Sequence, residues 1–207
     1  MKQLIPAFAL IAAAPMALGA LPAVAAVPAS FTATGTALIH ASGKTPETRT
    51  PVKVFYQNGQ VRLELKTPGN GDSVVLGKKG KSTFTMMDLQ QKVAFTMDPQ
   101  TMSTEGSPLP VQQIVDLTSW KGLLQKQGTK LGGSEVKAGQ TCSLWETTQG
   151  STKTKVWFAD AVDLPMQIQS SVNGKPSFTL TIQSFDPKGK VSPNLFQVPA
   201  GFTQADL

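Results

Sequence analysis

Residues 52–65 read VKVFYQNGQVRLEL, two runs of alternating apolar and polar residues on either side of an Asn-Gly pair. Asn-Gly between alternating hydrophobic residues is a strong short-range signal for a β-hairpin, because both residues accept the positive φ angles of a tight turn. A two-residue loop places six residues on one face: Tyr56 opposite Val61, Val54 opposite Leu63, and Val52 opposite Leu65. Arg62 and Glu64 are then expected on the other face.

The same period-two alternation predicts strands along most of the chain. The expected strands cover residues 31–41, 73–77, 82–88, 92–97, 141–147, 153–159, 164–168 and 178–182. A turn at Gln90-Gln91 predicts two facing pairs of bulky residues: Phe84 with Met97, and Met86 with Phe95. For the last two strands, a three-residue loop ending at Lys175, together with a bulge, predicts two more pairs: Ile168 with Leu180, and Met166 with Ile182.

Residues 110–127 depart from this alternation. Their apolar residues recur at approximately helical spacing, which favours one or two short helices, interrupted near Thr118-Ser119 and ended by Gly128. Trp120 is expected to dock this insert onto the sheet. The chain is therefore predicted to be mainly β, a large antiparallel sheet with a short helical cover over one face.

The N-terminus has the three parts of a secretory signal peptide. A basic residue is followed by an apolar, Ala-rich run and by the small-x-small ending Ala23-Val24-Ala25. A membrane-spanning helix is disfavoured, because three prolines interrupt the run and no basic cluster follows it. We therefore expect residues 1–25 to be a signal peptide, residues 26–207 to form a single domain, and the mature protein to reach an exported compartment, the periplasm.

The composition excludes several kinds of site. The 207 residues include one His (His40) and one Cys (Cys142), too few for a structural zinc site, an iron–sulfur cluster or an intramolecular disulfide. Cys142 is expected to be a buried, unpaired thiol. The net charge of +6 arises mainly from scattered lysines, a pattern that does not indicate nucleic-acid binding but suits weak attraction to anionic lipid headgroups.

Catalytic chemistry is not indicated by any motif. His40 lies in a Thr- and Ala-rich strand, and there is no Gly-x-Ser-x-Gly elbow to supply a nucleophile. Asp160 and Asp163, the closest acidic pair weighed as catalytic carboxylates, are interpreted as turn residues before Pro165. We therefore expect a protein that is not an enzyme and that needs no cofactor or metal.

The apolar face of the predicted sheet is the candidate site. Bulky and adaptable side chains either fill an ordinary core or leave an apolar groove for a ligand, and period alone does not separate the two readings. The candidate ligand-binding residues are Val54, Tyr56, Val61, Leu63, Phe84, Met86, Phe95, Met97, Met166 and Ile168. An empty cleft above roughly 300 Å³ favours the ligand reading.

Two tryptophans suggest a second surface. Trp145 and Trp157 have the opposite parity from four residues expected in the core: Cys142, Leu144, Val156 and Phe158. Each tryptophan is then expected on the other face of the sheet, where an apolar patch would meet a partner such as another envelope protein.

Four segments together resemble the LolA/LolB-like superfamily of periplasmic lipoprotein carriers. They are the run Asn58–Leu65, the hairpin Ser82–Met97, the segment from Trp157-Phe158-Ala159-Asp160 to Leu164-Pro165-Met166, and the ending Leu195–Phe202. The resemblance implies an open, strongly curved antiparallel sheet, an incomplete barrel whose helices close over a hydrophobic cavity. It also implies that lipoprotein acyl chains occupy that cavity.

Two features depart from LolA itself. The mature chain begins with a strand where LolA has a long N-terminal helix, and Gln57 stands where LolA has a cavity arginine. Gly139-Gln140-Thr141-Cys142 is similar to a Gly-x-x-Cys motif in uncharacterised exported members. The leading hypothesis is a non-enzymatic binder or carrier of a lipid or an acyl chain, and the alternative is an envelope interaction or sensor module with a packed interior.

Overall fold

The computed structural model describes residues 26–43, 46–67, 71–81, 83–98 and 117–206. The proposed signal peptide and the first part of the helical segment, residues 110–116, lie outside the described residues. The described part contains one α-helix, α1 (Trp120–Gln127), and a 3-10 helix (Pro193–Phe196). The strands are β1 (Ser30–Ile39), β2 (Thr48–Gln57), β3 (Gln60–Thr67), β4 (Gly71–Lys78), β5 (Phe84–Asp88), β6 (Val93–Met97), β7 (Gly128–Lys137), β8 (Gln140–Gln149), β9 (Thr152–Ala159), β10 (Leu164–Val172), β11 (Lys175–Asp186) and β12 (Thr203–Asp206).

All described strands belong to one open, curved sheet in the order β12-β6-β5-β4-β3-β2-β1-β11-β10-β9-β8-β7. Two antiparallel meanders, β1–β6 and β7–β11, lie side by side and are joined where β1 pairs with β11. β12 adds to β6 in parallel. The sheet does not close, since β12 and β7 are its two edges. The predicted fold class, a mainly β domain with an open curved antiparallel sheet and a helical cover, is confirmed.

The first hairpin has the predicted register. Tyr56 pairs with Val61 and Val54 with Leu63, across a turn in which Asn58 and Gly59 have φ angles of 47° and 85°. These apolar side chains are buried on the face covered by α1, which we call the inner face. Arg62 lies on the outer face, as expected.

The second hairpin is also as predicted, whereas the loop of the third is not. Phe84 pairs with Met97 and Met86 with Phe95. In the third hairpin Ile168 does pair with Leu180, but the loop contains two residues, Asn173 and Gly174. A bulge at Ser170/Ser171 supplies the shift in register that was expected from a longer loop.

Two strands were not predicted, and neither was the pairing of β1 with β11, which we call the seam because it joins the two meanders. β7 begins at Gly128, directly after α1, so Gly128 ends the helix as expected and then continues as strand. β12 is a four-residue edge strand. At the seam, β1 and β11 approach so closely at a bulge that a Cβ on Gly35 would clash with the Thr181 carbonyl oxygen.

The outer face carries a smaller apolar cluster beneath the C-terminal segment, residues 187–206. Val74, Met87 and Ala94 form its buried part, and Val198 and Phe202 pack against them. The C-terminal segment is also held by Arg62, whose Nη1 donates to the Leu195 carbonyl at 2.9 Å. Both faces of the sheet are therefore partly covered.

Candidate functional site

The helical cover is attached to the inner face mainly by two side chains one turn apart. Trp120 and Leu124 are each 1% exposed, and both belong to the main apolar core. Leu117 and Leu123 pack against the same core with part of their surface exposed. The expectation that Trp120 docks the insert onto the sheet is confirmed.

A cavity lies between the cover and the middle of the sheet. Its volume is about 40 Å³, counted as the space open to the centres of water molecules. The lining residues are all apolar and come from β1–β3, β10, β11 and the cover: Phe31, Ala33, Val54, Leu63, Leu117, Trp120, Leu164, Pro165, Met166, Ile168, Leu180, Ile182 and Phe185. The site therefore offers apolar contact from both meanders and from the helix that covers them.

This cavity is much smaller than the cleft that would have favoured a ligand on size alone. A single water needs about 10–15 Å³ by this measure, whereas ligand pockets typically hold roughly 300–1,000 Å³. The interior is therefore mostly filled by its own side chains in the described conformation. Any ligand larger than a few water molecules requires movement of the lining.

The structure brings only some of the predicted ligand-binding residues to the cavity. Val54, Leu63, Met166 and Ile168 line it. Three others are buried in the same core without lining the cavity: Tyr56, Val61 and Phe84. Met86, Phe95 and Met97 are partly buried on β5 and β6, next to the edge strand β12 and away from the cavity.

Sequence reasoning missed the aromatic side chains that line the cavity where β1 meets β11. The Phe31 ring stacks on Tyr56 with centroids 5.0 Å apart and lies 5.3 Å from the Phe185 ring. Phe31 and Phe185 belong to β1 and β11, which are adjacent only in the folded sheet. Period-two parity within each strand could have placed them on a face, but no local signal pairs the two strands.

Among the described residues, one ion pair connects the cover to the sheet. Lys121 Nζ in α1 lies 2.9 Å from the carboxylate of Asp163, whose side chain is 13% exposed. Asp160 and Asp163 lie in the turn between β9 and β10, as expected, and Asp163 has a positive φ of 52°. This carboxylate is placed to hold the helix.

The expectation that Trp145 and Trp157 share one face is wrong. Leu144 pairs with Trp157 and Trp145 with Val156, so the two tryptophans lie on opposite faces. Trp145 belongs to the inner face, where its indole Nε1 donates to Ser143 Oγ at 3.0 Å. Trp157 lies on the outer face but is only 8% exposed, and the Lys137 ammonium lies 5.2 Å from its ring centroid.

A cluster of polar groups surrounds Trp157 on the outer face. The Trp157 indole N–H and then the Lys137 ammonium lower the pKa of Glu135, and Lys137 Nζ lies 2.9 Å from that carboxylate. Cys142 is fully buried nearby, as expected, and desolvation raises the pKa of its thiol. A thiol in this state is chemically inert rather than nucleophilic.

His40 has two polar neighbours. Its Nε2 lies 3.0 Å from Thr179 Oγ1, and its Nδ1 lies 3.8 Å from a Glu47 carboxylate oxygen. Thr179 is in the interior strand β11, whose backbone pairs with β1 and β10. Across the described residues, no group of His, Cys, Asp and Glu side chains could hold a metal ion.

Comparison with known proteins gives similarity of fold. No protein-family model and no curated protein matches the chain. The structure is similar to an uncharacterized conserved protein from Thermus thermophilus, with a TM-score of 0.59, 10% identity, and coverage of 87% of this chain and 91% of that chain. At 10% identity this likeness shows the fold alone.

Two further structures are similar at lower scores. MucB gives a TM-score of 0.48 at 14% identity, covering 83% of this chain and 57% of that chain. A putative outer membrane lipoprotein-sorting protein domain from Vibrio parahaemolyticus gives 0.45 at 12% identity, covering 81% and 89%. The open curved sheet with its helical cover agrees with the fold that the LolA/LolB-like resemblance implied. No described helix is long and apolar enough to span a membrane.

Proposed function

We propose that this protein is a non-enzymatic carrier that binds a hydrocarbon chain, from a lipid or a lipoprotein, between the sheet and its helical cover. The observation that carries the proposal is the cavity under α1, lined only by apolar side chains. Such a lining offers burial without hydrogen bonds or charge, so it favours hydrocarbon. Binding would arise at about 25 cal/mol per Å² of apolar surface removed from water.

The ligand would enter by displacing part of the cover. Within the described residues the cover is a helix of eight residues, and its one described ion pair to the sheet is Lys121–Asp163. Trp120 is the largest side chain that lines the cavity, so its displacement frees the most space. A slender chain can then take the place of the indole ring against Met166 and Ile168.

Filling the cavity tests the proposal. Ala33→Leu adds three carbon atoms to a lining residue that is 5% exposed. Uptake of a pyrene-labelled fatty acid, followed by fluorescence, should weaken at least about tenfold, because the added carbons occupy the ligand's space. Ala37→Leu is the matched control, on the same strand and face but outside the cavity lining, and it should keep wild-type uptake. Circular dichroism checks the fold of both variants.

Two results would overturn the proposal. One is an Ala33→Leu protein that folds and takes up the probe as well as wild type. The other is a wild-type protein that takes up no probe and yields no bound lipid by mass spectrometry.

A second candidate is favoured by the small size of the cavity. If the interior is a packed core, the protein is an envelope interaction or sensor module. Such a module would bind its partner outside the core, and the edge strand β7 carries Val136, which is 70% exposed. Failure of wild-type uptake, with no lipid recovered, favours this function over the carrier.

The proposal places the protein in the periplasm, exported by residues 1–25. Cell fractionation and N-terminal sequencing test this directly. A mature chain beginning at Ala26 or Val27 in the periplasmic fraction supports it, and an uncleaved cytoplasmic chain contradicts it.

A further inference from the structure

Five lysines lie at one end of the sheet, where β4 ends and where the chain leaves β11. All five are exposed: Lys78, Lys79, Lys81, Lys188 and Lys190. We call these five residues the basic rim. Lys78 ends β4, Lys79 and Lys81 follow in the connection to β5, and two lysines come from the start of the C-terminal segment, so distant parts of the sequence contribute to one surface.

Hydrogen bonds hold both lysine segments at the same end of the sheet. The Lys79 N–H donates to the Gly59 carbonyl at 2.7 Å, in the turn between β2 and β3. The side-chain amide of Gln57, the last residue of β2, donates to the Val191 carbonyl at 3.3 Å. Both segments are therefore attached to the same β2–β3 hairpin.

Part of the cavity lining reaches this end as well. Phe31 at the beginning of β1 and Phe185 near the end of β11 both line the cavity. Gly189, between two lysines of the basic rim, packs on the residue after Phe31, since a Cβ on Gly189 would lie 2.7 Å from Thr32 Oγ1. The basic rim and two aromatic residues of the cavity lining thus lie at the same end of the sheet.

The lysines of the basic rim have no carboxylate partners among the described residues. None lies within ion-pair distance of a described acidic side chain. Three lysines toward the β7 side differ, because they have a carboxylate neighbour: Lys121 has Asp163, Lys130 has Asp160, and Lys137 has Glu135. The five lysines of the basic rim have no such neighbour among the described residues.

Acidic residues reduce the positive charge of this region without cancelling it. Asp98 follows β6, and Asp186 ends β11, where its Oδ1 accepts from the Lys188 backbone N–H at 2.9 Å. Five lysines against these two carboxylates leave a net positive surface. Lysine is a strongly hydrated point charge, which suits attraction to a charged surface better than recognition of one planar group.

We propose that the basic rim docks the protein on the surface of an anionic phospholipid bilayer, with the end of the sheet that holds Phe31 and Phe185 toward the lipid. Each lysine near such a surface adds attraction, and this attraction falls off within a Debye length, so docking is reversible and sensitive to salt. The docked orientation would bring an apolar chain leaving the bilayer close to Phe31 and Phe185. Docking itself does not depend on whether the cavity takes a ligand.

Vesicle co-sedimentation of the exported protein tests this. Wild type should bind vesicles of phosphatidylglycerol and phosphatidylcholine in equal parts, fail to bind phosphatidylcholine alone, and dissociate at high salt. The variant K78Q/K79Q/K81Q/K188Q/K190Q should bind at least about tenfold more weakly. The matched control K53Q/K66Q/K153Q/K155Q/K175Q removes the same charge from other exposed positions and should retain most of the binding.

Three outcomes would overturn docking by the basic rim. Equal loss in both variants means that net charge alone attracts the protein. Binding that does not depend on phosphatidylglycerol means that charge is not involved. Release by inorganic phosphate at matched ionic strength means that the lysines recognise a phosphate group rather than a bilayer.

Failure of docking is distinguishable from failure of the carrier function. Uptake of an uncharged pyrene-labelled alkane without vesicles reports on the cavity alone, because such a probe has no group for the lysines to attract. If uptake persists and vesicle binding does not depend on the basic rim, only docking is rejected. Absence of uptake while vesicle binding still requires the basic rim rejects the carrier only.

Discussion

Lys121 on the helical cover and Asp163 in the β9–β10 turn form an ion pair, with Nζ 2.9 Å from the carboxylate. Their side chains are 44% and 13% exposed, so the pair lies at the border of the core. It joins the element that closes the cavity to the strand that contributes Met166 and Ile168 to its lining. The position of the cover should therefore respond to this pair.

Asp163→Asn should loosen the cover with little loss of global stability. A partly exposed ion pair contributes about 1 kcal/mol or less, and asparagine tolerates the positive φ of this position. We expect faster uptake of the pyrene-labelled fatty acid in stopped-flow measurements. Asp160→Asn is the control, since its partner Lys130 is 3.9 Å away and both side chains are more than half exposed. Equal uptake rates in Asp163→Asn and wild type would contradict a role in holding the cover.

Trp120→Ala should lower the free energy of unfolding by about 3–5 kcal/mol, because it removes a fully buried aromatic side chain. Urea denaturation measures this loss. The same variant enlarges the cavity, so uptake of the probe per folded molecule should rise. A stable Trp120→Ala protein with reduced uptake would show that the indole contacts the ligand instead of occupying its place.

Arg62→Met should release the C-terminal segment from the outer face. It removes the 2.9 Å hydrogen bond to the Leu195 carbonyl and the 2.8 Å contact with Glu64, at a cost of about 1–3 kcal/mol. Limited proteolysis should then cut within residues 187–206 under conditions that spare wild type. Arg49→Met, at an exposed position, serves as the control. Unchanged protection of this segment would indicate that its apolar contacts with Val74 and Met87 are sufficient.

The stability contributed by Glu135 should disappear at acidic pH. The Trp157 indole N–H and the Lys137 ammonium lower its pKa below 4.5, the value for an unperturbed carboxyl. A depressed pKa means that the stabilisation is present above the unfolded value and is lost as pH falls through the folded value. The difference between thermal melts of wild type and Glu135→Gln should therefore be full above pH 4.5 and should shrink as pH falls from there through the lowered pKa. A constant difference between them at all pH values would contradict this assignment.

Cys142 should stay unreactive until the protein unfolds. Its side chain is fully buried, and desolvation raises the pKa of the thiol. Labelling with Ellman's reagent should be slow in native buffer and rapid in denaturant, because only the thiolate attacks. Fast labelling of the native protein would show that the β7–β8 edge opens easily.

The parts of the fold that could be predicted from sequence are those encoded within one hairpin. Asn58-Gly59 fixes the loop, and a fixed loop fixes the partners of Val54 and Tyr56. The same reasoning explains the error over the tryptophans. A two-residue loop at Gly150-Ser151 pairs Gln149 with Thr152, so residues of opposite parity in β8 and β9 share a face, and Trp145 lies beside Val156.

Other features depend on contacts that no local pattern encodes. β7 is an edge strand with mostly exposed polar residues and a Gly132-Gly133 interruption, so it lacks apolar alternation. The cavity lining was predicted in part, through Val54, Leu63, Met166 and Ile168. Its remaining members depend on which strands meet at the seam. Its volume depends on how side chains interdigitate across three elements, which periodicity does not specify.

The pairing of β1 with β11 constrains the order in which parts of this chain can fold. Thr34 and Ser184, whose hydroxyl oxygens are 2.8 Å apart across it, are 150 positions apart in sequence. Contacts of such long range form slowly, and until then β1 presents an unpaired edge that invites aggregation. A chain shortened before residue 175 would leave that edge permanently open. We therefore expect such a chain to require a holding chaperone, whereas loss of β12 alone would leave the pairing intact.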